Sequence, residues 1–419
     1  MTTAQPLVPA ASGPDLYGVH PFLDPKLPSR RPAIARLWLS TYRKILKDPG
    51  YYAAMLHAYA QPAGRDADSF QALHRCFRDA DTYLDDLLRL VPEGLADQMA
   101  PQSRTRRTND TRKLLKLTFE GTDSRSRYEA QRKLYLAKLL FDVDHCKTVQ
   151  DGPRHKRSFE ALLQQHLWRE LAGGRSIEVC CRFDDPEGSE ESGFVVGVPP
   201  EKGAVCWRFQ VRKLPAKNGD PEIEIYHYRS RFKREANPAP GEKTENGFLT
   251  LREQPRWPGL GRRSGSIVSK MLRRGIGDPR MVQDLLGAMF IVGNRRQAYA
   301  LERRLIHTLG GPLRWRDRVD TLAGEKERDR LNVRSVSGFR VLKGIVDVLT
   351  DDPPNPEPYF FSVEVQIFPL ENYIRTLHAR HFASHYAYKK RQFLHDLLPM
   401  LFPSEIYGKE TAHLAAESR

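Results

Sequence analysis

The sequence lacks any run of about 18 apolar residues, so we expect no transmembrane helix. Its first fifteen residues contain no charged segment followed by an apolar core, and we expect no secretory signal peptide there. Cysteine is scarce, with five residues, no Cys-x-x-Cys pair and an adjacent pair at Cys180 and Cys181. This pattern argues against a zinc site and against a disulfide framework, and it favours a reducing, cytoplasmic location.

Acidic residues are also few relative to basic ones. The 52 Asp and Glu residues face 67 Lys and Arg residues, which gives a formal net charge of +15. Such an excess favours polyanionic partners, namely nucleotides, RNA or an acidic membrane surface, without choosing among them. Hydrophobic residues make up 40% of the chain and charged residues 28%, which is typical of a folded globular protein.

Composition and periodicity divide the chain into six segments. We predict a flexible N-terminal arm over 1–30, a helical domain over 31–172, a β-rich meander over 173–236, a Pro/Gly-rich linker over 237–261, a domain over 262–400 and a tail over 401–419. Apolar residues recur at helical spacing over 69–91 and 127–142. The basic run at 104–113 could contact phosphates, but a solvated linker is the favoured interpretation because no aromatic residues interleave with it.

Four short β-type runs form the middle segment. They cover 176–183, 193–198, 204–214 and 222–232, with turn residues between them such as Asn218-Gly219, and they predict an antiparallel meander. Basic residues give the end of this meander a positively charged edge, which would either bind an anion or protect an exposed strand: Arg229, Arg231, Lys233 and Arg234.

The stretch 359–367 is β-branched and aromatic, and it predicts a strand. Glu364 and Gln366 lie two residues apart on one face, whereas the other face is apolar. A half-buried strand with one face in water would explain this pattern, and a catalytic carboxylate is the alternative. We also predict a helix opened by Asp278-Pro279, a run over 282–292 that leads into an apolar strand with Asp284 at its mouth, a helix over 296–309, a strand over 339–349 and a helix from Glu371 onward.

A short basic helix is predicted after the linker. It follows a Gly- and Ser-containing turn with a hydroxyl residue available as a cap, and its N-terminus would suit phosphate groups. The positive charges around it are Arg262, Arg263, Lys270, Arg273 and Arg274.

Two carboxylates on neighbouring strands, facing Arg and Lys, are what a phosphoryl-transfer site needs, because Mg²⁺ takes one or two carboxylates together with substrate phosphates.

The block 262–390 resembles the synthetase domain of the RelA/SpoT family, the alarmone (ppGpp) synthetases, in the order and spacing of five motifs. The matching residues are Ser266-Ile267-x-x-Lys270-Met271, Asp284-Leu285, Gly338-Phe339, Glu364-Val365-Gln366-Ile367 and Ala383-Ser384-His385-Tyr386-Ala387-Tyr388-Lys389. The resemblance covers about a third of the chain and does not extend to residues 1–250.

This resemblance implies an α+β fold in which a nucleotidyltransferase-like mixed sheet is flanked by helices. It also implies transfer of pyrophosphate from ATP to the 3′-hydroxyl of a guanine nucleotide or, as in toxin-type relatives, of the 3′ end of tRNA. By position, Asp284 would bind Mg²⁺, and Glu364 would hold the metal or activate the hydroxyl, with Gln366 beside it. The remaining assignments are Lys270, Arg262, Arg263 and Arg274 to the ATP phosphates, Phe339 to stacking on the acceptor base, and Lys343 and His385 to the acceptor side.

Several residues depart from the family pattern. Met289 replaces the arginine of Asp-Leu-x-x-x-Arg, Lys343 replaces a histidine, and Phe368-Pro369 replaces Arg-Thr. Arg262 stands at the lysine of the pattern Arg-x-Lys-Ser and Arg263 at its serine. Both acidic residues survive, which favours metal-dependent chemistry, while a catalytically degenerate nucleotide- or RNA-binding module of the same fold is the alternative.

Two further expectations concern the rest of the chain. This sequence lacks the His-Asp-x-x-Glu-Asp motif of the hydrolase domain that the RelA/SpoT family also contains, so we expect no hydrolase domain. We also expect no metal at His378, His381 and His385 despite their helical spacing. The partners that we expect are ATP with a guanine nucleotide or tRNA, RNA through the basic surface, and no membrane. Residues 1–250 could instead regulate or neutralise the block that follows them.

Overall fold

The structure is a computed structural model that describes residues 42–48, 50, 68–183, 194–198, 205–234, 264–322, 340–350, 358–377 and 385–417. The predicted arm over 1–30 and the linker over 237–261 lie outside the described residues. Among the described helices, none is long and apolar enough to cross a membrane.

The first half of the chain is helical and then changes to strands. Residues 42–47 are helical. The helices that follow are α1 (Asp68–Leu88), α2 (Glu93–Met99), α3 (Ser103–Arg107), α4 (Thr111–Glu120), α5 (Ser124–His145), α6 (Lys147–Gln150) and α7 (Gly152–His166). The strands that follow are β1 (Ala172–Phe183), β2 (Phe194–Val196), β3 (Val205–Leu214) and β4 (Ile223–Phe232).

The second half mixes strands and helices. Its elements are α8 (Gly265–Arg274), β5 (Leu286–Val292), α9 (Arg295–Thr308), β6 (Trp315–Asp320), β7 (Leu342–Thr350), β8 (Tyr359–Pro369), α10 (Leu370–Leu377), α11 (His385–Gln392), α12 (Leu398–Leu401), α13 (Ser404–Tyr407) and α14 (Lys409–Glu417). Short 3₁₀ turns occupy Trp168–Glu170, Pro279–Met281 and Pro312–Arg314, and a π-helical turn occupies Phe393–Leu397. The predicted strand over 359–367 and the predicted helix over 296–309 are confirmed to within two residues at each end.

The eight strands of the described residues form one mixed sheet in the order β2-β1-β3-β4-β5-β8-β7-β6. Strands β5 and β8 are parallel, and the other pairs are antiparallel. The α+β class with a mixed sheet is therefore confirmed. Strand β3 pairs with β1 and not with β2, so the first four strands are not a simple meander. The turn at Asn218-Gly219 between β3 and β4 is confirmed, and both residues adopt the positive φ angles (53° and 82°) that Asn and Gly tolerate best.

Strand β4 lies inside the sheet, where it pairs with β3 on one side and with β5 on the other. Of the two interpretations of its basic residues, protection of an exposed strand edge is therefore wrong. The pairing of β4 with β5 also joins the predicted middle segment to the predicted 262–400 domain in one sheet.

The chain divides by its internal contacts into two compact units, and their bounds differ from the predicted segments. The first unit comprises Met1–Gln150, Pro258–Val282 and Arg391–Arg419, and the second comprises Asp151–Trp257 and Gln283–Lys390. The basic helix α8 thus belongs to the first unit, whereas Asp284 and Glu364 belong to the second.

In the first unit, α5 packs against α1, α4 and α8. Its N-terminus is capped by Asp123, whose carboxylate accepts a hydrogen bond from the Ser126 amide at 2.6 Å. The basic run at 104–113 is not a solvated linker, because it forms α3 and the first turn of α4, where Asp110 caps the helix. Local charge is common to linkers and to helix surfaces, so composition alone could not separate the two.

In the second unit, helices cover one face of strands β4, β5, β7 and β8. Helix α7 packs on β4, β5 and β7, and α9 packs on β4, β5 and β8. The side chains of Tyr228 and Phe290 on this face have ring centroids 4.8 Å apart, and the Trp168 ring lies 4.8 Å from Tyr228. The apolar residues of β8 that the sequence placed on one face, Phe361, Val363, Val365 and Ile367, all lie in this core.

His155 lies in this core and provides a test of it. Its ring stacks on Phe361 with centroids 4.6 Å apart, its Nε2 lies 2.9 Å from the Tyr359 hydroxyl, and burial lowers its pKa from 6.5. His155 binds a proton more readily in the unfolded chain than in the folded protein. The contribution of the neutral, buried His155 to stability is therefore complete above about pH 6.5 and is lost as the pH falls below that value. We expect the free energy of unfolding of His155→Phe to fall less than that of the wild type between pH 7.5 and 5.5 in urea titrations. Equal pH dependence in the two proteins would contradict this account.

The cysteine prediction is wrong in one respect. Cys180 on β1 and Cys206 on β3 are direct cross-strand partners, and they form a disulfide. Cys76, Cys146 and Cys181 are free. The sequence shows only spacing along the chain, whereas this bond depends on the register of two strands.

Candidate functional site

The second face of the sheet carries the predicted carboxylate. Glu364 and Gln366 on β8 are half-buried, and the Gln366 amide donates a hydrogen bond to Glu364 Oε2 at 2.9 Å. Lys343 on β7 is the direct cross-strand partner of Gln366. The structure therefore brings together three residues that the sequence assigned to the site from two separate motifs.

Strand pairing arranges this face in two rows that run across the sheet. The first row contains Arg231, Gly287, Glu364 and Ile345, on β4, β5, β8 and β7 in turn. The second row contains Arg229, Met289, Gln366 and Lys343 on the same four strands. Because side chains of directly paired residues point to the same face, one acidic residue lies among three basic residues.

A second carboxylate on this face is already engaged. Asp347 on β7 receives hydrogen bonds from Arg316 at 2.8 Å to each of its oxygens, and the Ser362 hydroxyl donates to it at 2.8 Å. The Arg316 guanidinium is the main cause of the lowered pKa of Asp347. Among the residues that the structure describes, Glu364 forms no ion pair, so it is the carboxylate of this face that is better placed to interact with a substrate.

Asp284 lies two residues before β5, at the mouth of the strand as predicted, but it is not beside Glu364. Gly287 is the cross-strand partner of Glu364, and Asp284 lies three residues before Gly287. The Cα atoms of Asp284 and Glu364 are therefore offset by about 10 Å along the strand direction. Its carboxylate forms an ion pair of 2.7 Å with Lys233 and is 13% exposed.

The donor set fits Mg²⁺ only in part. Within the described part of the chain, no group of three His, Cys, Asp or Glu side chains is arranged to hold a metal ion. Glu364 supplies one hard oxygen ligand on an accessible face, and Mg²⁺ commonly accepts one or two carboxylates together with substrate phosphates. Joint coordination by Asp284 and Glu364 would require Asp284 to leave Lys233.

The basic helix α8 belongs to the first unit. Lys270 is buried and Arg274 is exposed at its last residue. Ser264 occupies the N-cap position, but its side chain makes no capping hydrogen bond. Instead, its hydroxyl donates to Asp144 Oδ1 at 2.5 Å. The predicted hydroxyl cap is therefore wrong, and a carboxylate lies near the helix N-terminus that was predicted to attract phosphates.

The remaining residues that the sequence assigned to the site are Arg262, Arg263, Phe339 and His385. Arg262, Arg263 and Phe339 lie outside the described residues. His385 begins α11, and its side chain is also outside the described set. Their roles stay predictions from the resemblance.

Sequence reasoning missed the position of Arg229 and Arg231. The sequence indicated only a basic edge that would bind an anion or protect a strand, although a spacing of two in a strand places both residues on one face. The missing information was the pairing of β4 with β5, which places Arg229 and Arg231 on the same face of the sheet as Glu364.

No protein-family model matches this sequence, and no curated protein matches it. The likeness to the RelA/SpoT synthetases therefore consists of the five motifs quoted above.

Proposed function

We propose that the chain is a RelA/SpoT-like pyrophosphokinase that transfers pyrophosphate from ATP to a 3′-hydroxyl, either of GDP or GTP or of the 3′ end of tRNA. The observation that carries this proposal is Glu364 on an accessible sheet face, with Lys343, Arg229 and Arg231 in the rows around it. A carboxylate among cations suits a reaction in which a hydroxyl is deprotonated beside a polyphosphate.

The reaction is a displacement at the β-phosphorus of ATP. The acceptor oxygen forms a bond to this phosphorus, the bond from the β-phosphorus to the bridging α,β-oxygen breaks, and AMP leaves with that oxygen. Glu364 accepts the hydroxyl proton, and the Gln366 amide, bonded to Glu364 Oε2, holds the carboxylate in place. Lys343 and the two arginines balance the charge of the phosphates.

When bound, Mg²⁺ neutralises phosphate charge and orients the polyphosphate. Glu364 is the residue that would hold it with the substrate phosphates, whereas Asp284 is paired with Lys233. The resemblance also assigns Lys270, Arg262, Arg263 and Arg274 to the donor phosphates.

A nucleotide- or RNA-binding module without catalysis is the second candidate. The observation that favours it is the ion pair between Asp284 and Lys233, which occupies one of the two predicted metal ligands. Binding of an ATP analogue that is insensitive to Mg²⁺ and to Glu364→Gln would favour this candidate over the enzyme.

The adenine product distinguishes the reaction classes. Pyrophosphate transfer releases AMP, phosphate transfer releases ADP, and nucleotidyl transfer releases pyrophosphate. We expect one AMP per modified acceptor when the full-length protein is incubated with ATP, Mg²⁺ and GDP, GTP or tRNA, with products separated by ion-exchange chromatography. Release of ADP or pyrophosphate instead would contradict the proposed reaction.

A further inference from the structure

Two arginines outside the RelA/SpoT-like block reach the face of Glu364 because β4 pairs with β5. We infer that Arg229 and Arg231, together with the space above Gly287, form a binding site for a di- or triphosphate group. That this group belongs to a nucleotide donor rests on the proposed function, whereas the anion site itself does not.

Strand register fixes the relative positions of these residues. Arg231 pairs with Gly287, and Gly287 pairs with Glu364. Neighbouring strands lie about 4.8 Å apart, so the Cα atoms of Arg231 and Glu364 are separated by about 10 Å, with a glycine between them. The exposed Arg231 and the half-buried Glu364 thus flank a position that has no side chain of its own.

Gly287 leaves open space on this face. Among the residues that the structure describes, a Cβ atom built on Gly287 would have one neighbour within 4 Å, the backbone oxygen of Glu364 at 3.8 Å. Its φ angle is not among the positive ones, so the backbone does not require glycine there. The absence of a side chain therefore creates a notch between Arg231 and Glu364 that a phosphate group can enter.

Arg229 supplies a second cation in the next row. It pairs with Met289, which in turn pairs with Gln366. Met289 stands where the resembled pattern has arginine, and Arg229 places a guanidinium beside that position from the adjacent strand. Each guanidinium has five N–H donors and binds phosphate oxygens in a bidentate manner, so it can bind an anion while it keeps a protein partner.

The test is calorimetric titration of the full-length protein with inorganic tripolyphosphate in the presence of Mg²⁺ at physiological salt. We expect the double variant Arg229→Ala/Arg231→Ala to bind at least tenfold more weakly than the wild type, and Gly287→Val to show a similar loss at unchanged net charge. The matched control is Arg208→Ala. This exposed arginine on β3 alternates with the buried Trp207 and Phe209, so it points to the opposite face from their core cluster, which includes Ile291 and Phe368 of the Glu364 face. The affinity of Arg208→Ala for tripolyphosphate should stay within twofold of the wild type.

Gly287→Val separates a defined site from general attraction to a basic protein, because it changes shape without changing charge. If the double variant fails to fold, as judged by its thermal transition, this variant alone decides. Wild-type affinity in either Gly287→Val or the double variant, or no binding by the wild type, would overturn the inference.

The inference and the proposed function can fail separately. Arginine-dependent binding of tripolyphosphate by a protein that releases no AMP would retain the anion site and overturn the pyrophosphokinase. AMP release at subsaturating ATP that is unchanged in the double variant and in Gly287→Val would retain the enzyme and overturn the assignment of this site to the nucleotide donor.

Discussion

Glu364→Gln should lower the rate of AMP release by a factor of about 10² to 10⁴, which is the range for loss of a general base. Glutamine keeps the size of the side chain and its hydrogen-bonding capacity but cannot accept the hydroxyl proton or hold a metal ion as a carboxylate does. Because Glu364 is half-buried on a polar face, we expect the thermal transition to shift by only a few degrees.

Glu371→Gln is the matched control for this prediction. Glu371 follows β8 on α10 and is 57% exposed, with an ion pair to Arg375 in the same helix. Its removal should leave AMP release within twofold of the wild type. Comparable activity in Glu364→Gln and Glu371→Gln would show that Glu364 is not catalytic.

Lys133→Met should destabilise the protein by about 3–5 kcal/mol, the usual cost of removing one partner from a buried ion pair. The Lys133 side chain is 1% exposed, and its ammonium bonds Asp81 at 2.7 Å and the backbone oxygens of Thr105 and Arg106 at 3.1 and 3.0 Å. Methionine fills the space but leaves these three acceptors without their donor. Urea unfolding monitored by circular dichroism measures the loss.

The pH dependence of this loss provides a further check. Burial raises the pKa of Asp81, and without the ammonium the folded protein should bind a proton there even more readily than the unfolded chain. The difference in free energy of unfolding between the wild type and Lys133→Met should therefore be largest near pH 7 and shrink as the pH falls.

The control is Lys116→Met, which removes a 72% exposed lysine that lies 3.9 Å from Glu120 and should cost less than about 0.5 kcal/mol. Equal destabilisation by the two substitutions would contradict the buried-pair account.

Local patterns predicted the elements that carry the site. The alternation in 359–367 placed Glu364 and Gln366 opposite the apolar core side chains, and the structure confirms that arrangement because strand periodicity depends only on the local backbone. Asp110, Asp123 and Asn294 stand at the starts of their helices, where their carboxylates or amide oxygen accept backbone hydrogen bonds, and none of these three caps was predicted.

Long-range pairing could not be predicted in the same way. Nothing local specifies that β3 pairs with β1 instead of β2, or that β4 lies beside β5. These two pairings account for the Cys180–Cys206 disulfide, the interior position of β4 and the arginines on the Glu364 face. The register of β5 and β8 likewise separates Asp284 from Glu364, although both residues belong to the resembled motifs.

The most direct test of the central claim is transfer of label from γ-labelled ATP to GDP, GTP, ATP or tRNA, with products separated by thin-layer chromatography or gel electrophoresis. The account predicts that the full-length protein labels at least one guanine nucleotide or tRNA in the presence of Mg²⁺, and that Glu364→Gln does not. Absence of labelled product with every acceptor, or equal labelling by the wild type and Glu364→Gln, would contradict it.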